Sequence, residues 1–123
     1  MKKLLSILLV IGMALCLVSC GSSKPKNVGN VVYDYSKLNI EIVDKYLDSE
    51  ITGGQAYNQC IDAITSELYE MVDAYSFTPE EKEIWIVLSQ IRIYFETHAL
   101  SDENESILEY RNDLAKLINV KER

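Results

Sequence analysis

The chain has one histidine, His98, and that scarcity removes whole classes of chemistry. A di-iron bundle needs Glu-x-x-His pairs on facing helices, whereas Phe95 stands three residues before His98. No Gly-rich phosphate loop is present, and no Gly-x-Ser-x-Gly nucleophile turn. Asp102-x-Asn104-x-Ser106 opens like a calcium loop, but Ile107 occupies the position where the turn requires Gly, and Asp113 stands in for the bidentate Glu. No metal, no cofactor and no catalytic residue is expected. Positive charge is also short, with 12 Lys and Arg against 19 Asp and Glu. Nothing gathers the basic residues onto one face, so a nucleic-acid partner is excluded. Strand signals are confined to residues 31–35, which have no second run to pair with. The longest uncharged apolar run, residues 4–18, falls short of the roughly 20 residues that span a bilayer.

That run is instead the right length for a signal-peptide core, opened by Lys2 and Lys3. It closes on Leu17-Val18-Ser19-Cys20, which resembles the lipobox of bacterial lipoproteins. The resemblance covers only the first twenty residues, and no family is recognised for the mature domain. It implies removal of residues 1–19, acylation of the Cys20 thiol, and attachment to a bacterial cell membrane with the domain on the extracytoplasmic side. Each buried methylene of the acyl chains contributes about 0.8 kcal/mol to anchoring, so two or three chains hold firmly. An ordinary secretory signal cut near Ser19 or Gly21 would instead leave Cys20 a plain thiol or remove it. Cleavage before Cys20 takes away two lysines and no acid, making the formal charge two units more negative than the −7 of the whole chain. It also removes Cys16, so Cys60 has no intramolecular disulfide partner, and packing must supply the stability.

Residues 20–35 read as the lipidated cysteine and a flexible tether, Gly- and Ser-rich to about Asn30 and extended against the domain from there. About ten such residues reach roughly 18 Å root-mean-square. Residues 36–123 read as a helical domain. Ile40, Val43, Leu47 and Ile51 recur on one helix face, ended by Gly53-Gly54. Tyr57, Cys60, Ile61, Ile64, Leu68, Met71, Val72 and Tyr75 form one continuous stripe opposite Asp62, Glu70 and Asp73, with Cys60 as a small core hydrophobe. Thr78-Pro79-Glu80-Glu81 is a helix start with a capping box and proline in the first turn, followed by Ile84, Val87, Leu88, Ile91 and Phe95 at core spacing. Ser101-Asp102-Glu103 should cap a fourth helix carrying Ile107, Leu114 and Ile118. Arg111 falls beside that inner stripe, its stem packed and its head expected in water.

Four helices with short connections favour an all-α, antiparallel up-down-up-down bundle after the signal peptide and tether, the alternative being a three-helix core with the helix from Ser36 laid across it. Its start would face the membrane. The leading function is a non-enzymatic protein-interaction module that binds an envelope or secreted protein; the alternative is a small-ligand binder with a pocket lined by Tyr, Arg111 and His98. A candidate partner surface lies on the third helix, where Ile86, Ile93 and Leu100 recur every seven residues about half a turn from the core stripe. Either the first helix covers this second apolar face within the bundle, or it is exposed and marks a partner surface.

Overall fold

A computed structural model describes residues 23–97 and 105–123. Cys20 with the signal segment, His98, Leu100, the Ser101-Asp102-Glu103 cap and the first calcium-like positions lie outside the described residues. Among those described, the protein is all-helical, with α1 (Asn30–Leu47), α2 (Gly53–Asp62), α3 (Ser66–Ala74), α4 (Pro79–Thr97) and α5 (Glu105–Leu117). No helix among them is long and apolar enough to cross a membrane.

The first helix begins at Asn30 and not at Ser36, so residues 31–35 are helical where extended chain was expected. Burial explains the difference: Val32, Tyr33 and Tyr35 are in the core, and Val28 ahead of the helix is buried too. On a wide apolar helix face, tertiary packing overrides the β-preference of Val and Tyr. At the other end, Gly53-Gly54 does not stop α1 but opens α2. The stop is supplied by Ser49, held at φ 61, while Glu50 N–H donates to the Lys45 carbonyl at 2.8 Å and Ser49 N–H to that of Tyr46 at 3.1 Å, as in a Schellman closure. The two glycines lie inside a capping box, in which Gln55 N–H donates to Thr52 Oγ1 at 3.2 Å and Thr52 N–H donates to Gln55 Oε1 at 2.9 Å. Reciprocal capping of two orphan N–H groups fixes a helix start more strongly than glycine fixes a stop.

The continuous stripe over residues 57–75 is two helices. The chain breaks at Ala63-Ile64-Thr65, where Thr65 caps α3 by accepting from Leu68 N–H at 3.2 Å. Side-chain capping by Thr competes with helix continuation, and β-branched Ile64 and Thr65 weaken it.

Every other helix packs against α1, whereas α4 packs against α1, α2 and α5, and α3 against α1 alone. Residues buried along α1 run from Ile42 and Tyr35 through Val32, Ser36 and Val43 to Ile40 and Tyr33, an arc of about half its circumference at 100° per residue. That arc serves four neighbours, while Leu38 outside it stays 38% exposed, so the apolar surface of α1 does not extend over the back of α4. Ile86 and Ile93 are 59% and 53% exposed, so the expectation that α4 is buried on two faces does not hold at these residues. Inside, a short polar chain is fully bonded: Tyr35 OH donates to the Cys60 carbonyl at 2.9 Å, Asn39 Nδ2 to the Tyr35 carbonyl at 2.8 Å, and Cys60 Sγ to Asn39 Oδ1 at 3.4 Å.

Candidate functional site

The start of α4 is built as its sequence indicates. Thr78 N–H donates to Glu81 Oε1 at 2.9 Å and Glu81 N–H to Thr78 Oγ1 at 3.1 Å, closing the capping box. Pro79 in the first helical position is preorganised for the helix, and Phe77, the residue before the cap, lies back over the first turns of α4. Phe77 stacks on Trp85 with centroids 5.6 Å apart, Tyr35 lies 6.5 Å from the same indole, and the Arg92 guanidinium sits 5.5 Å from its ring centre. Held by two aromatic rings and a cation, Trp85 is a preorganised anchor with little rotamer freedom left to lose on binding.

Beside it, Val72, Tyr75, Phe77, Lys82, Trp85 and Ile86 line an open hollow of about 290 Å³ between the end of α3 and the start of α4. Tyr75 falls on the stripe expected for the core, but it is 84% exposed. It closes α3 in the left-handed region at φ 51, with its N–H donating to the Val72 carbonyl and Ser76 N–H to that of Met71. Glycine normally fills that position, and a bulky residue there is strained. Tyr75→Gly should therefore raise stability by about 1 kcal/mol, read as a higher denaturation midpoint, while weakening whatever this rim binds. A midpoint that falls would mean the ring contributes to packing.

From the hollow the apolar surface continues along α4 through Ile86 to Ile93. Charge of both signs borders it: Lys82 lines the hollow and Arg92 lies over Trp85, while α3 exposes Glu67, Glu70 and Asp73 and α4 exposes Glu80, Glu83 and Glu96. Two of the three residues expected to form a partner strip are thus side by side in the open; Leu100 lies outside the described residues. Reading α4 by its period found the isoleucines. It missed Phe77, which belongs to no helix period in the connection before Pro79, and the stripe over residues 57–75 put Tyr75 in the core instead of on the rim.

Arg111 differs from its expectation. It is buried, and its head is enclosed: Nε and Nη2 donate to the two oxygens of Asp44 at 2.9 and 3.1 Å, and Nη1 donates to the Lys121 carbonyl at 2.7 Å and to Asn112 Oδ1 at 3.2 Å. The desolvation of a buried guanidinium requires such pairing, and it leaves the group no capacity for an outside anion. Cys60 is buried, and burial pushes its thiol up to about 12, so it stays protonated and unreactive at neutral pH. Burial likewise raises the Tyr35 phenol, against the lowering effect of a hydrogen bond with Asn39. Among the described residues, no group of three or more His, Cys, Asp and Glu is placed to hold a metal ion. No family model matches the chain, and neither does any curated protein or solved structure.

Proposed function

We propose that this chain is a bacterial lipoprotein whose small acidic domain, anchored through acylated Cys20 on the extracytoplasmic side of the membrane, is a non-enzymatic module for binding another envelope or secreted protein. The exposed apolar strip of Ile86 and Ile93, continuous with the Trp85 hollow, is the observation that carries this reading. An otherwise acidic monomer has no reason to leave such a strip in water. Its composition favours a partner with apolar side chains to enter beside Trp85 and a basic border, since the exposed acids of α3 and α4 outnumber Lys82 and Arg92. Leu100 would extend the strip. The helices are best read as an up-down-up-down arrangement in which α2 and α3 share one leg, a reading supported by the short connections at residues 48–52 and 75–78.

Two measurements test the proposal. Cys20→Ala should move the protein from the membrane fraction to the medium or the periplasm; sedimentation of that variant with membranes at high salt would refute lipid anchoring. Crosslinking in cells followed by mass spectrometry should join residues around Ile86 and Ile93 to one predominant basic partner, and crosslinks confined to other faces would refute the surface. The hollow gives a second reading some support, that of a small-ligand site, although its volume falls just below the roughly 300 to 1,000 Å³ usual for ligand pockets. Thermal melting against a metabolite panel separates the two, since a ligand at 100 times its dissociation constant adds about 2.7 kcal/mol.

A further inference from the structure

The segment expected to be a free leash is tied into the domain almost from its first described residue. Ser23 accepts a hydrogen bond at its carbonyl from Asn119 Nδ2 at 3.4 Å, and Lys24 Nζ donates to Asn30 Oδ1 at 2.9 Å. Asn27 turns the chain in the left-handed region. Its carbonyl accepts from Thr78 Oγ1 at 2.6 Å, and its side chain donates to Glu80 Oε1 at 3.3 Å. Val28 is buried in the core, and Gly29 N–H donates to Glu81 Oε2 at 3.2 Å. These contacts gather the start of α1, the start of α4 and the residues after α5 at one end of the domain, and they put the N-terminal segment across it.

Only three peptide steps separate Cys20 from Ser23, a span of at most about 11 Å when fully extended. We infer that the domain sits directly on the bilayer by this end, with exposed Lys24 and Lys26 meeting the phosphates of anionic lipid headgroups, and does not sway on a leash. The inference rests on the reading of Cys20 as the acylated residue. A reach of that size is comparable with the Debye length of about 8 to 10 Å at ordinary ionic strength, so the two lysines stay inside the attractive field of the surface. Of the acids nearest the segment, Glu81 is buried, with both oxygens bonded to backbone N–H groups, and Glu80 is bonded to Asn27, while Asp34, near the start of α1, pairs with Lys37 at 3.6 Å and Glu67 is exposed beside it. Because α4 starts here, Ile86 and Ile93 stand no further than about 12 and 22 Å from the seat, measured along the helix from Thr78 at 1.5 Å per residue. A partner docked on them is held close to the membrane.

The test uses the full acylated chain in vesicles of phosphatidylglycerol and phosphatidylcholine that carry a headgroup nitroxide. A fluorophore is placed on Pro25→Cys, which keeps both lysines, or on Glu50→Cys in the turn beyond the far end of α1; buried Cys60 does not compete for the label. Quenching should be several-fold stronger at position 25 than at 50. Insertion of ten Gly and Ser residues after Ser22 should abolish most of that difference. Equal quenching at both positions in a protein whose mass shows acylation would overturn the seat and leave the anchor standing. A mature protein whose mass shows no acyl chains on Cys20 would overturn the anchor, and the seat with it.

Discussion

Leu68→Ala is expected to destabilise the protein by about 2 to 5 kcal/mol, through lost transfer energy and the cavity left behind. Leu68 is the one buried residue of α3 and is completely enclosed. The helix packs against α1 alone, so Leu68, helped by the partly buried Met71, is the main fastening of its nine residues. Losing it should loosen α3 before the rest of the domain. Hydrogen exchange should then show α3 amides exposed ahead of those in α1 and α4, and the hollow rimmed by Val72 and Tyr75 should lose its shape with them. Asp62→Ala, on the exposed side of the preceding helix, should cost less than about 0.5 kcal/mol. Equal costs at the two positions, measured by chemical denaturation, would show that Leu68 does not hold α3.

Asp44→Ala should be nearly as damaging, at about 2 to 4 kcal/mol. Removal of this carboxylate leaves the Arg111 guanidinium buried without its counter-charge. Asp44 is partly exposed, its side chain at 30%, which keeps the figure below the largest costs known for buried pairs. The same carboxylate holds the end of the chain. Arg123 reaches Asp44 Oδ1 at 3.2 Å and also pairs with Asp48, and its backbone N–H donates to Asn112 Oδ1 at 2.8 Å. Residues 118–123 therefore fold back over α5 as one strap around Arg111. Arg111→Met should cost less than Asp44→Ala, because it removes the buried charge together with its need for a partner and keeps an apolar stem in place. The reverse order in a denaturation series would contradict this account of the pair.

The sequence made the helical character and most core positions legible, because a 3.6-residue period needs no knowledge of the tertiary structure. Ile84, Val87, Leu88, Ile91 and Phe95 are all buried, and the Thr78-to-Glu81 capping box forms as its residues indicate. What it concealed were competitions settled only by contacts distant in sequence. The glycines at 53 and 54 lose to the Thr52 and Gln55 box, and the residue 57–75 stripe is cut where Thr65 prefers to cap. Arg111 is enclosed because Asp44, 67 residues away, faces it. The docking of residues 23–29 could not be read at all, since its bonds run to Thr78, Glu80, Glu81 and Asn119. At the candidate site, the exposed isoleucines were legible as a second apolar face. Whether another helix covers such a face depends on how α1 divides its surface among four neighbours, which no local pattern records.

The double substitution Ile86→Lys with Ile93→Lys tests the central claim most directly. Both side chains are more than half exposed, so the new charges stay in water, and the melting temperature of the monomer should move by no more than surface substitutions usually cause, about 0.5 kcal/mol in stability. If the strip receives a basic partner as proposed, two lysines set into it introduce both desolvation and like-charge repulsion. Crosslinking of the full-length double variant in cells should therefore lose the partner proposed for the wild-type protein. A variant that melts like the wild type and still captures that partner undiminished would contradict the account.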